Sequence, residues 1–250
     1  VFTAGFEKTA KKAKDEPDYE RGIHTAAGGF LGGALANVPA SALYLSTKPG
    51  DRGPSTFDRN KQFIEKNLAA KGLKVRIGAA EHLSDSFARR PQTKRMLKFL
   101  RIGGIRAKKH GYINLTPNAS LGVAAHEMGH AITNSKIPNA LKLPHTMALK
   151  GGGLGGMLAG GYLASSQDEN KRKWAPAAIA AGHLPTLLDE ASATYHGTKA
   201  IAKSHGIKKA LRSLKHTLPA FGTYASIPLG GAIGAHLVGK LYDKEKAKKP

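Results

Sequence analysis

Two histidines and a glutamate give this chain its most specific chemistry. The stretch Ala124-Ala125-His126-Glu127-Met128-Gly129-His130-Ala131-Ile132 contains H-E-x-x-H. On an α-helix, residues four apart lie on one face, about one turn apart. His126 and His130 can therefore offer two imidazole nitrogens to one metal ion. Glu127 sits beside the first ligand and can reach a water held by that metal. This is the residue set of zinc-assisted peptide hydrolysis, two His ligands and a Glu general base.

A hydrolytic zinc site needs a third protein ligand and leaves a fourth position for water. The segment Leu184-Pro185-Thr186-Leu187-Leu188-Asp189-Glu190-Ala191-Ser192-Ala193-Thr194 offers one. Glu190 opens an E-x-x-A pattern, in which the small Ala193 leaves room beside the metal helix. Asp189 is the adjacent competitor, or a partner that orients a His ligand. His145, His183, His196 and His205 are further candidates. Tyr195 or His196, just past Glu190, are candidate oxyanion donors.

The elements around these residues are readable. Asn118 or Ser120 can cap the metal helix, and Leu121, Ala124, Ala125, Met128 and Ile132 give it apolar faces. A small residue at Gly129 permits close packing beside the metal. Upstream, Gly111 to Leu115 reads as a strand that ends at Thr116-Pro117. Such a strand could lend an edge to an extended peptide substrate. Phe57 to Lys71 reads as a helix stopped by Gly72, and Leu73 to Ile77 alternates like a strand.

Four stretches are nearly free of charge. Residues 22–47 contain no Asp, Glu, Lys or Arg, and Gly28, Gly32 and Ala36 recur at helical spacing. The length suits a membrane span or a buried helix, and small residues in such a stripe let helices approach closely. Gly151 to Gln167 and Trp174 to Leu188 read as an apolar hairpin within 147–188, each limb short for a span. Residues 216–239 carry Gly230, Gly234 and Gly231, Ala235, Gly239 stripes, interrupted by Pro219 and Pro228. The expected organisation is therefore an N-terminal arm (1–21), an apolar glycine-rich helix (22–47), a catalytic domain (55–215) that includes the hairpin, an apolar glycine-rich segment (216–239) and a mobile charged tail (240–250). Lys48 to Pro54 is a linker. The first 21 residues lack the apolar run of a signal peptide.

The formal net charge of +22 favours acidic partners. Residues 86–126 hold no carboxylate, and the basic residues from Arg89 to Lys109 are interleaved with Met96, Leu97, Phe99, Leu100 and Ile102. A basic amphipathic helix broken at Gly103-Gly104 is expected there. A second basic region runs from Lys199 to Lys215. The first suits anionic lipid headgroups or, less well, nucleic-acid phosphates. There is no cysteine, so any metal must be held by His and carboxylates.

The order of these features resembles the membrane zinc metallopeptidases of bacteria. In that family an apolar segment, a helix and a strand precede an A-A-H-E-x-G-H-A-I helix. An apolar hairpin, an L-P…E-x-x-A segment and a last apolar segment follow. Ala124 to Ile132 matches the metal helix, and Leu184-Pro185 with Glu190 to Ala193 matches the later segment. The basic insert 88–109 departs from the pattern. The resemblance implies Zn²⁺ on His126, His130 and Glu190, with Glu127 as catalytic base.

The expected fold is mainly α, with a small α+β zincin-like core and Gly/Ala-rich apolar helices that could enter a membrane. The expected function is a membrane-associated zinc endopeptidase. Were the apolar stretches to span, the basic regions would put the catalytic side in the cytoplasm. The other reading is a structural or membrane-penetrating component of a larger assembly, such as a virus particle, whose glycine-rich helices pack against copies or partners.

Overall fold

A computed structural model of the chain describes residues 17–46, 54–79, 87–89, 111–115 and 119–248. These residues are mainly helical. Eight helices are formed: α1 (Tyr19–Ser46), α2 (Pro54–Ala69), α3 (Leu121–Lys136), α4 (Lys142–Ser165), α5 (Glu169–Arg172), α6 (Ala175–Ala181), α7 (Leu184–His205) and α8 (Ile207–Lys246). Three strands accompany them: β1 (Val75–Ala79), β2 (Phe87–Arg89) and β3 (Gly111–Leu115). Contacts divide the chain into two compact units. One comprises Val1–Ser41, Met147–Thr186 and Thr223–Pro250, the other Ala42–Thr146 and Leu187–Gly222.

The second unit mixes helix and sheet. Its sheet has the order β1-β3-β2, with β1 parallel and β2 antiparallel to β3. Gly72, at φ +68°, ends the turn after α2 and sends the chain into β1. The core gathers Phe63, Ile64 and Leu68 of α2, Ile113 and Leu115 of β3, and Ala124, Ala125, Met128 and Ile132 of α3. Buried Asn60 donates to the Ala119 carbonyl oxygen at 2.7 Å and ties α2 to the start of α3. Ser120 caps α3, its hydroxyl accepting from the Val123 amide at 3.2 Å.

Two expectations for this region change. Gly111 to Leu115 is a strand as the pattern indicates, but it is the central strand, paired on both sides. It has no free edge for a peptide. Arg89, expected at the start of a basic helix, lies in β2, and most of that segment falls outside the described residues. The Lys48–Pro54 linker falls almost wholly outside them too.

The first unit consists of helices packed through glycine. Around Gly32 of α1, a methyl group would overlap the Gly230 carbonyl of α8 and lie 2.9 Å from the Gly234 Cα. Gly28 meets Gly234 and Val238 in the same way. Gly156 of α4 packs on Gly182, and Gly160 on Ile179 of α6. The glycine stripes are thus the inner faces of these helices. The large apolar side chains point the other way: Ile23, Phe30, Leu31 and Leu35 of α1, Leu154 and Leu158 of α4, and Leu229, Ile233 and Leu237 of α8 are all more than half exposed.

The segment limits also differ from expectation. The second limb of the hairpin is not one helix: it breaks after Ala181, and Leu184 opens α7. α8 is a single 40-residue helix that passes through Pro219 and Pro228. Past Pro228 it packs on α1 through Gly230 and Gly234. The helix continues to Lys246 rather than yielding a mobile tail at Lys240. Arg21 Nη2 bonds Asp243 Oδ2 at 2.8 Å and Lys246 Nζ bonds Asp18 Oδ2 at 2.6 Å, which holds that end in place. The same contacts order the end of the expected N-terminal arm, since α1 begins at Tyr19; residues 1–16 lie outside the described residues. Among the described residues, no helix is long and apolar enough to cross a membrane.

Candidate metal centre

The site is built where α3 crosses α7 in the mixed unit. Each helix contributes a glycine to the crossing. A methyl group on Gly129 would overlap the Ala193 carbonyl, and one on Gly197 would overlap the Ala125 carbonyl. Backbone therefore touches backbone on both sides of the metal motif. This is the space that the small residues at 129 and 193 were expected to leave.

The close crossing brings His126, His130 and Glu190 together, with ligand atoms all within 4.8 Å of one another. His126 Nε2 lies 3.1 Å and His130 Nε2 3.5 Å from the same oxygen, Glu190 Oε2. The two rings stand edge to face, with centroids 4.7 Å apart. Their other nitrogens are held from α7 as well. His126 Nδ1 is 3.1 Å from Thr194 Oγ1, and His130 Nδ1 is 3.1 Å from Asp189 Oδ2. Both imidazoles thus have Nδ1 engaged and Nε2 aimed at one point, the pattern in which an outer partner fixes the ring of a metal-binding histidine.

Burial makes these contacts count. The side chains of His126, His130, Asp189 and Glu190 are all less than 15% exposed. Burial works against charge on His130, but Asp189, Glu190 and Glu127 outweigh it and raise its pKa to about 10. Burial likewise works against the Glu190 carboxylate, yet His126 and His130 hold its pKa down to about 2. The cluster therefore demands positive charge at its centre, from a proton or from a cation. Two neutral-capable imidazoles and a carboxylate, with no thiolate, suit a borderline metal such as Zn²⁺. The donor set fits the ion.

Glu127 is buried on α3, close enough to favour the charge on His130. His145 Nε2 approaches the other Asp189 oxygen at 3.8 Å, so this candidate lies behind Asp189 and not among the converging nitrogens. His205 packs edge-on against Phe63, and His196 bonds Lys136 at 3.1 Å. His183 lies in the helical unit against Gly153. Tyr195 is exposed, its ring tilted 59° to that of His196 at 5.2 Å and beneath Lys199. None of these is brought into the His126–His130–Glu190 cluster. Thr194 was not foreseen, although it stands four residues after Glu190 and so on the same face of α7.

Comparison of the chain with protein-family models, with curated proteins and with solved structures finds no match.

Proposed function

We infer that the protein is a zinc-dependent, membrane-associated endopeptidase. The observation that carries this reading is the convergence of both His Nε2 atoms on Glu190 Oε2, across a helix crossing tightened by Gly129 and Gly197. His126, His130 and Glu190 would hold the metal. Bound there, zinc would supply the Lewis acidity that lowers the pKa of a water and polarises a carbonyl. Glu127 takes the proton of the attacking water and passes it to the leaving amine. Asp189 and Thr194 keep the two imidazoles in the tautomer that leaves Nε2 free to bind. The α+β unit around this site is the zincin-like core of the reading.

β3 cannot receive a substrate strand, but β2 packs beside α3 and has a partner on one side only among the described residues. It is the strand to which an extended peptide would add. Membrane association draws support from the outward apolar faces of the helical unit and from the +22 charge.

The test is metal content and hydrolysis measured together. The purified chain should carry one Zn²⁺, absent in His126→Ala, and should cleave unstructured polypeptides. Glu127→Gln should keep the zinc and lose 10²-fold or more in rate, on the order of a general base's contribution. A zinc-loaded parent that cleaves no peptide would favour the other reading, a membrane-penetrating or structural component of an assembly. That reading draws on the helical unit, which packs through Gly28, Gly32, Gly156 and Gly160 and turns leucines such as Leu35, Leu158 and Leu229 outward.

A further inference from the structure

The helical unit contains a second polar site, unrelated to the metal centre. A cavity of about 250 Å³ opens between the start of α1, the segment from Glu169 to Pro176, and the last turns of α8. Arg21, Arg172, Lys173 and Lys240 line it, against two carboxylates, Glu169 and Asp243. Asp243 is already engaged by Arg21 Nη2 at 2.8 Å.

The rest of the Arg21 guanidinium is unspent. Its Nε and Nη1 are buried and have no hydrogen-bond partner, and neither has the hydroxyl of Thr25, a residue only 2% exposed. An unsatisfied buried donor costs on the order of 1–3 kcal/mol, and more when charged. Gly239 faces this corner: a methyl group there would stand 3.6 Å from Thr25 Oγ1 and 3.7 Å from Arg21 Nη2. Burial works against the Arg21 charge, Asp243 supports it and Arg172 opposes it. Two guanidinium groups that line one cavity and repel each other call for an anion between them.

We propose that this cavity binds a small phosphate-bearing anion, held by Arg21 and Arg172 with Thr25 and Lys240 beside it. Guanidinium forks match the oxygens of phosphate and take it in pairs of hydrogen bonds. The volume lies below the roughly 300–1,000 Å³ of sites that enclose a drug-sized ligand, so it suits one phosphate group rather than a large cofactor. The surroundings suggest a lipid headgroup as one source. Tyr19 at the start of α1, Tyr162 in the last turn of α4 and Trp174 before α6 are each at least 60% exposed at this end of the unit. Exposed Tyr and Trp beside outward apolar faces match the arrangement found at headgroup level. A free phosphate compound would use the same cations.

The experiment uses the full chain at moderate salt, with two probes. Inorganic phosphate is titrated by calorimetry, and flotation is measured with phosphatidylcholine vesicles with and without phosphatidic acid. The site predicts phosphate binding, phosphatidate-dependent flotation, or both, weakened at least tenfold in Arg21→Gln and in Arg172→Gln. Arg172 donates to the Ser166 and Gln167 carbonyl oxygens, at 3.5 and 3.3 Å, and takes no part in the Arg21–Asp243 ion pair, so its variant decides if Arg21→Gln fails to fold. Vesicle binding alone, lost in the variants, assigns the site to a headgroup; binding of inorganic phosphate assigns it to a soluble anion. Binding unchanged in both folded variants, or no binding of either probe by the parent, would overturn the proposal. The result is independent of zinc content and hydrolysis.

Discussion

His130 Nδ1 lies 3.1 Å from Asp189 Oδ2, one residue before the carboxylate that His130 Nε2 faces. Consecutive residues of α7 therefore grip both nitrogens of one imidazole. This arrangement separates binding from positioning. Asp189→Asn retains the shape and a hydrogen bond but removes the charge. We expect zinc affinity to fall about 10–100-fold, the usual effect of an outer partner, with the helices intact. Competition against a chelator, read beside circular dichroism, measures it. An unchanged affinity would mean that Asp189 serves α7 packing alone.

The same contacts predict how the metal-free chain responds to pH. His130 is raised from 6.5 to about 10, so its pairing stabilises the fold fully below about pH 6.5 and is lost as pH rises through 10. Glu190 is lowered from 4.5 to about 2, so its contribution is complete above about pH 4.5 and is lost as pH falls through 2. The metal-free protein should be most stable between these limits. Zinc must displace the His130 proton, so its apparent affinity should rise about tenfold per pH unit near neutrality. Calorimetry in buffers of different ionisation enthalpy should show about one proton released per zinc. Release of none would remove His130 from the ligand set.

Spacing in the sequence carried the metal centre a long way. H-E-x-x-H and E-x-x-A need only helical periodicity to put His126, His130 and Glu190 on facing sides of two helices. Strand β3 and the cap at Ser120 were legible for the same local reason. What spacing could not supply was partnership across the chain. That β3 is central depends on β1 and β2, which pair with it from far away in sequence. α8 runs on through Pro219 and Pro228, which local spacing reads as interruptions, and its last turns depend on Asp18 and Arg21. Thr194 could be placed on the face of α7 that carries Glu190, but its contact with His126 Nδ1 depends on how closely α3 and α7 approach.

That approach is testable with one methyl group at two positions. Gly129→Ala drives a methyl into the Ala193 backbone at the α3–α7 crossing, where no flexible side chain can yield. Overpacking of this kind costs about 1–3 kcal/mol, and it should separate Glu190 from the histidines and weaken zinc binding. Gly155→Ala on α4 meets nothing within 4 Å on an exposed face. There the substitution should stabilise by up to about 1 kcal/mol through helix propensity. Thermal or denaturant unfolding of both variants checks the contrast. Equal effects would mean that the crossing is looser than described.

The helical unit turns many large apolar side chains outward and packs its helices through glycines such as Gly28, Gly32, Gly156 and Gly160. Close packing through small residues is the way helices associate when lipid, not water, surrounds them. Among the described side chains, outward apolar residues run from Ile23 to Val38 on α1 and recur from Leu229 to Leu241 on α8. We expect the expressed chain to stay on membranes through a high-salt wash, since screening weakens headgroup attraction but leaves apolar burial intact. Changing Leu35, Leu229 and Ile233 together to Ser should release it, with little loss of folded structure, because all three are more than half exposed. Gly32→Leu, by contrast, should disrupt the α1–α8 contact itself. A parent chain that is monomeric and monodisperse in water without detergent would sink the membrane reading. A soluble oligomer that dissociates on the triple substitution would instead assign these faces to other copies of the chain.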